Sequence, residues 1–268
     1  MQNIYRRTPI ERRSEIPIFI DRQNDIYVKN YDDIADHHLC SISLGKGNPF
    51  MQEEMWRDLE RNTIDLINKY AEKGARILDV GVGTGRLLAQ FTSMNRYGID
   101  VALGYLERLG DSGIECSLGV VEDLPYQNNV FDIVVCTDVL EHVFDLHKAI
   151  SELYRVLKPE GMLIIRVPYK ENLELYLHKD YPYHIAHVRN FDEHELEIQF
   201  SRVFDFRLCE TLYDKAFVPV SLALPLPRGK IFLTKLLVRL QAIFPFLKNP
   251  LQRLYKPTEI SMAFKKPA

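Results

Sequence analysis

Residues 77–88 read Ile-Leu-Asp-Val-Gly-Val-Gly-Thr-Gly-Arg-Leu-Leu. Ile77, Leu78 and Val80 form a short apolar run of strand character that meets glycines at alternate positions, Gly81, Gly83 and Gly85, before a helical-looking stretch from Arg86 to Phe91. In an open parallel sheet such a turn falls at the carboxyl edge of the strands, where the ligand crevice lies. Glycine has no Cβ, so the turn reaches backbone angles closed to other residues and a ligand can lie against the main chain. Asp79 sets a carboxylate beside that bare backbone. Asp100 closes the next strand-like piece, Tyr97 to Ile99, at about the 20-residue separation that brings an acid to ribose hydroxyls. A dinucleotide fingerprint needs G-x-G-x-x-G, whereas here a single residue precedes the third glycine, so a nicotinamide cofactor is disfavoured.

Asp79, Gly81, Gly83 and Gly85 in D-x-G-x-G-x-G order resemble motif I of the class I S-adenosylmethionine-dependent methyltransferases, and four further segments extend the likeness over residues 76–168. YGIDV (97–101) resembles the second-strand motif, and GVVEDLP (119–125) the adenine turn. FDIVVCTDVLEHV (131–143) resembles the fourth strand and the start of its helix, and LKPEGMLIIRVP (157–168) the fifth strand. The likeness is greatest to the small-molecule, type 11 enzymes related to ubiquinone and menaquinone biosynthesis. It implies S-adenosyl-L-methionine held by Asp79, Gly81, Val82, Gly83, Gly85, Asp100, Val101, Val121, Glu122, Asp123, Leu124, Thr137 and Asp138. The family often has an acid two residues before the Glu122 position. This chain has Val120 there, which leaves open whether Glu122 or Asp123 meets the adenine amino group.

The implied fold is α/β: a Rossmann-like, doubly wound, seven-stranded and mainly parallel sheet. Phe204–Tyr213 and Ile260–Lys265 have strand character and are the candidates for its last two strands. Residues 1–70 read as an N-terminal cap over the crevice, with a helix from Met51 to Tyr70; 71–213 as the cofactor-binding core; 214–258 as an insertion; and 259–268 as the final strand. The N-terminal residues carry charges where an export leader needs an apolar run, and no stretch reaches the ~18 apolar residues of a spanning helix, so a cytoplasmic protein is expected. Cys40, Cys116, Cys136 and Cys209 show no C-x-x-C pairing, which argues against a zinc site or a disulfide framework.

The net charge of −3 gives no general attraction to nucleic acid. Thr137-Asp138-Val139-Leu140 also replaces the Asn/Asp-Pro-Pro-Tyr/Phe tetrad that amino-methylating DNA enzymes use. A small-molecule acceptor is therefore expected, and nucleic acid is not. Residues 215–256 depart from the rest: eight Lys and Arg, no Asp or Glu, and an apolar run that as a helix sets Phe232, Leu233, Leu236, Leu240, Ile243 and Phe244 along one side. Two readings stand. The segment packs on its own core or on a second copy in a homodimer, or it lies on an anionic membrane surface or lipid-linked acceptor.

Direct transfer from an electrophilic sulfonium methyl asks mainly for alignment and exclusion of water, with a base where the acceptor must lose a proton. His142 is the first candidate, just past the fourth strand. Asp138, Glu141 and His142 share one face if a helix has begun by Asp138, and resemble the acid-x-x-Glu-His metal motif of ubiquinone-pathway O-methyltransferases. A magnesium-type ion suits that set, yet such residues equally serve as structural hydrogen-bonders, and no metal is expected. His184 and His187, in an aromatic loop with Tyr176, Tyr181 and Tyr183, are the other base candidates. His37-His38 reads as a solvated pair, and a cofactor-binding partner protein without catalysis is the runner-up function.

Overall fold

Strict alternation along the buried strands builds two apolar layers on one sheet. The computed structural model describes residues 4–21, 25–49, 53–215, 222–223 and 229–268. Its elements run β1 (Glu11–Arg13), β2 (Ile16–Ile18), α1 (Ile26–Ser43), α2 (Glu53–Tyr70), β3 (Arg76–Val80), β4 (Asn95–Asp100), α3 (Leu103–Arg108) and β5 (Glu115–Leu118). They continue with β6 (Phe131–Thr137), α4 (Leu146–Val156), β7 (Leu157–Pro168), α5 (Glu193–Glu197), β8 (Arg207–Asp214), α6 (Lys230–Ile243), α7 (Lys248–Gln252) and β9 (Glu259–Lys265). Leu78, Val80, Val134 and Ile165 face one layer, which Ile150 and Leu153 of α4 complete. Ile77, Ile133, Val135 and Ile164 face the other, against Leu66 and Ile67 of α2. Each such side chain, fully buried, stabilises the fold by about 1.5–3 kcal/mol relative to exposure.

The strands lie in the order β1-β2-β5-β4-β3-β6-β7-β9-β8. From β5 to β7 neighbours are parallel, and β9 pairs antiparallel with both β7 and β8. The chain winds outward from β3 through β4 to β5, then returns to lay β6 on the other side of β3. That reversal opens a crevice at the carboxyl ends of β3, β4 and β6. The seven expected strands are present within a doubly wound α/β fold, but among the described residues the sheet has nine. Ile16 and Ile18 are buried, and Ile18 aligns with Leu118, so the N-terminal residues extend the sheet as a two-strand edge.

Three local expectations differ from the structure. Arg86–Phe91 holds only a single 3₁₀ turn, Leu88–Gln90. Asp138 takes φ +56, a left-handed conformation that cannot continue a helix, and α4 begins at Leu146, capped by Asp145 accepting from the Lys148 amide at 3.0 Å. The apolar side expected of α6 is divided: Leu233 and Leu240 join Leu237 against Leu222 and Tyr255, while Phe232, Leu236, Ile243 and Phe244 are exposed. Met51, Leu224, Leu226 and Arg228, and the side chains of Met55 and Ile231, lie outside the described residues. No helix among the described residues is long and apolar enough to cross a membrane.

Candidate active site

The turn after β3 is held open from beneath. Gly81 has φ +81, and a Cβ there would lie 2.4 Å from Val139 Cγ2, so both conformation and space require glycine. Gly83 has φ +50, and the nearest atom its Cβ would meet is 4.0 Å away: this glycine faces the crevice. Its amide donates to Asp100 Oδ2 at 2.8 Å, and the Ala102 amide donates to Oδ1 at 2.9 Å. The Gly85 amide instead closes the turn onto the Val82 carbonyl at 2.8 Å, and Gly85 does not line the crevice.

Asp79, Gly81, Val82, Gly83, Asp100, Val101, Val121, Thr137, Asp138 and His142 all line the crevice. Leu124 is in the core. The two acids left open for the adenine amino group are engaged elsewhere, and neither lines the crevice. Glu122 lies towards the backbone amides of Phe144 and Asp145, which offset part of the rise that burial gives its pKa, and Asp123 is ion-paired with Arg6 and Arg7.

α1 supplies four wall residues, Tyr27, Tyr31, Ile34 and His38, none of which the sequence reading had placed at the crevice. Their i, i+4, i+7, i+11 spacing was the available signal. His38 is buried, within 2.9 Å of the Tyr105 hydroxyl and stacked on Trp56, which corrects its reading as solvated. α2 adds Trp56 and Glu60, between which Arg86 is held: its guanidinium is 5.2 Å from the indole centroid and 3.1 Å from Glu60. Asn30 of α1 clasps the loop after β7 with both ends of its amide, donating to the Ile185 carbonyl at 3.1 Å and accepting the Ile185 amide at 3.0 Å.

The floor is acidic. Asp79 is 3% exposed, its Oδ1 accepts no hydrogen bond among the described residues, and burial, reinforced by Asp100, pushes its pKa up to about 8. Burial also raises Asp100. Buried Arg166, 3.2 Å from Asp138 Oδ1, lies within the field of Asp79, Asp214 and Glu259, so one guanidinium faces more carboxylates than it can neutralise. An orphaned carboxylate beside an open wall fits a ligand bearing a cation and ribose hydroxyls.

Residues 78–165 match the family model described as a methyltransferase domain. The chain is 34% identical over 153 residues to the ubiquinone/menaquinone biosynthesis C-methyltransferase UbiE of Vibrio cholerae, spanning 52% of this chain and 58% of that protein. It is 30% identical over 154 residues to the demethylmenaquinone methyltransferase of Streptomyces avermitilis, spanning 54% of this chain and 62% of that one. The chain thus covers less than two thirds of either relative's length. In fold it resembles a putative methyltransferase solved in complex with the Haloferax volcanii Trm112 activator, at TM-score 0.62 and 17% identity, over 88% of this chain and 97% of that one. The chain carries a class I S-adenosylmethionine-dependent methyltransferase domain.

Within this methyltransferase domain His142 lines the crevice and is largely buried, and burial followed by the nearby His187 lowers its pKa to about 4. Its Nδ1 is 3.4 Å from the Ala186 carbonyl, the donor geometry that leaves the lone pair on Nε2. The His187 ring lies 4.6 Å away, centroid to centroid, and its Nδ1 contacts Glu171, which also accepts from the Tyr176 hydroxyl at 2.7 Å. His184 is exposed and is not brought to this cluster. Glu141 is buried, its pKa raised by desolvation, and Glu141, His142 and His187 offer ligand atoms within 4.8 Å of one another. Asp138 does not complete the motif expected with them, because Arg166 holds it.

Proposed function

We propose that the protein transfers a methyl group from S-adenosylmethionine to a small aromatic, quinol-like acceptor. The observation that carries the reading is the orphaned, buried Asp79 beside Asp100 at the open face of Gly83, a setting that favours a cationic nucleoside. S-adenosylmethionine, when bound, supplies a methyl group already activated by the sulfonium charge. The residues available to hold it are Asp79 for its ammonium group, Asp100 for the ribose hydroxyls, and Val101 and Val121 for the flat faces of adenine. Tyr27, Tyr31 and Trp56 exclude water from the wall, which keeps the electrostatics of the site strong.

His142 is neutral at pH 7 and lines the same crevice, so its Nε2 takes the proton that the acceptor loses. His187 is a positioning residue: backed by Glu171, it packs on the His142 ring. The aromatic acceptor is supported by the quinone pathways for which the relatives are named and by the aromatic rings of the wall. A monohydroxylated or dihydroxylated naphthalene acceptor with methyl-labelled S-adenosylmethionine tests the reading, with product identified by mass spectrometry. The expected result is a singly methylated ring or hydroxyl, lost in His142→Ala while S-adenosylhomocysteine affinity is kept. Tight donor binding with no transfer to any aromatic acceptor would favour the non-catalytic alternative.

A further inference from the structure

α6 presents an apolar stripe to the outside. Phe232, Leu236 and Ile243 follow one another at i, i+4 and i+11 along one line of the helix, at 75%, 42% and 67% exposure, and Phe246 just beyond its end is 76% exposed. The opposite side is already used: Thr234 and Leu237 are buried, and Leu237 packs with Leu222 and Tyr255 in a small cluster of its own. The stripe is flanked by exposed Lys235 and Arg239, within a 42-residue segment, 215–256, that holds eight basic side chains and no acid.

This geometry points to an anionic lipid surface as the occupant of the stripe, so that the protein docks peripherally through α6. The charge decides between occupants. A second copy of this chain would bring another strongly basic segment against the first in a two-fold contact, whereas anionic headgroups complement Lys235 and Arg239 while the acyl boundary takes Phe232, Ile243 and Phe246. Topology adds a functional consequence. Asp214 and Glu259, the ends from which the insertion leaves and to which it returns, pair with each other, and Glu259 pairs with Pro168 at the carboxyl end of β7. The docking segment therefore springs from the edge of the sheet that carries the crevice. Resting on the proposed aromatic acceptor, this arrangement suits an acceptor whose polar ring enters the crevice while an apolar tail stays in the membrane.

Vesicle co-sedimentation of the full chain tests this. Wild type should be retained by phosphatidylcholine vesicles containing about 30% phosphatidylglycerol and not by pure phosphatidylcholine, with retention falling in about 0.5 M sodium chloride. The triple variant Phe232→Ser, Ile243→Ser, Phe246→Ser should partition roughly tenfold less or weaker still, and so should Lys235→Glu with Arg239→Glu. S-adenosylhomocysteine titration should give wild-type affinity for every variant, which shows the fold intact. Wild type left in the supernatant with anionic vesicles, or a triple variant retained equally well, overturns the docking surface. A wild-type dimer that the triple variant splits, with no vesicle binding, overturns it in favour of a second copy. Vesicle retention without donor binding would instead sink the methyltransferase reading and leave the docking surface standing.

Discussion

At the residue scale, Asp100 performs two tasks with one carboxylate. It accepts the Gly83 and Ala102 amides and so fixes the turn, while its remaining lone pairs face the crevice. Asp100→Ala therefore removes the proposed ribose contact and leaves two amides without their acceptor, each loss costing about 1–3 kcal/mol. S-adenosylhomocysteine affinity measured by calorimetry should fall at least tenfold, and unchanged affinity would remove the ribose assignment. Gly81→Ala tests the turn from the other side. Its added methyl would meet Val139 at 2.4 Å in a backbone conformation unfavourable to alanine, so the melting temperature and donor binding should both drop. A variant that melts with wild type would show that the turn adapts. These glycines and both acids were legible in the sequence because their chemistry is local. The fate of Glu122 and Asp123 was not: Arg6 and Arg7, more than a hundred positions away, decide where Asp123 points.

At the element scale, the central strands were legible as short continuous apolar runs because both faces of the sheet are covered, and β8 and β9 formed close to the residues expected. The edge strands did not. Glu11–Arg13 is exposed along its length and carries no apolar signal, so pairing with β2 makes it a strand. The helix α1 was missed for a related reason: its wall residues Tyr27, Tyr31 and His38 are polar-tipped, and only the crevice gives them a buried side. What holds α1 there is the Asn30 clasp on Ile185, supported by the approach of His38 to Tyr105. Asn30→Ala would leave the Ile185 amide and carbonyl unsatisfied. We expect faster amide exchange across Ile26–Ser43, with the sheet strands unaffected, and a several-fold rise in KM for the acceptor. Exchange rates equal to wild type over that helix would show that α1 is anchored by its other contacts alone.

At the scale of the whole molecule, buried acids concentrated at one edge of the sheet make stability depend on pH in a direction that can be worked out. Asp79 is raised from the ordinary carboxylate range to about 8, so between those values the folded protein binds a proton that the unfolded chain has released. Stability contributed by the protonated carboxyl is present at low pH and is lost as pH rises towards 8. His142 acts in the opposite sense, because its lowered pKa makes the fold lose stability on acidification from about 6.5 towards 4. Above about pH 7 the histidine is neutral in both states, while the raised acids Asp79, Glu141 and Glu259 and the raised Cys116 and Cys136 thiols all titrate in the same sense. In that window the melting temperature of the ligand-free protein should fall with rising pH, and Asp79→Asn should flatten the slope. A cationic donor reverses the cost, since an ammonium beside Asp79 favours the ionised carboxylate. S-adenosylhomocysteine should therefore remove the part of the slope that Asp79 contributes, and near pH 7 its binding should release protons, read as a difference in heat between buffers of unlike ionisation enthalpy. An Asp79→Asn protein with the wild-type slope, or donor binding with no proton release, would place the cation somewhere other than the orphaned carboxylate.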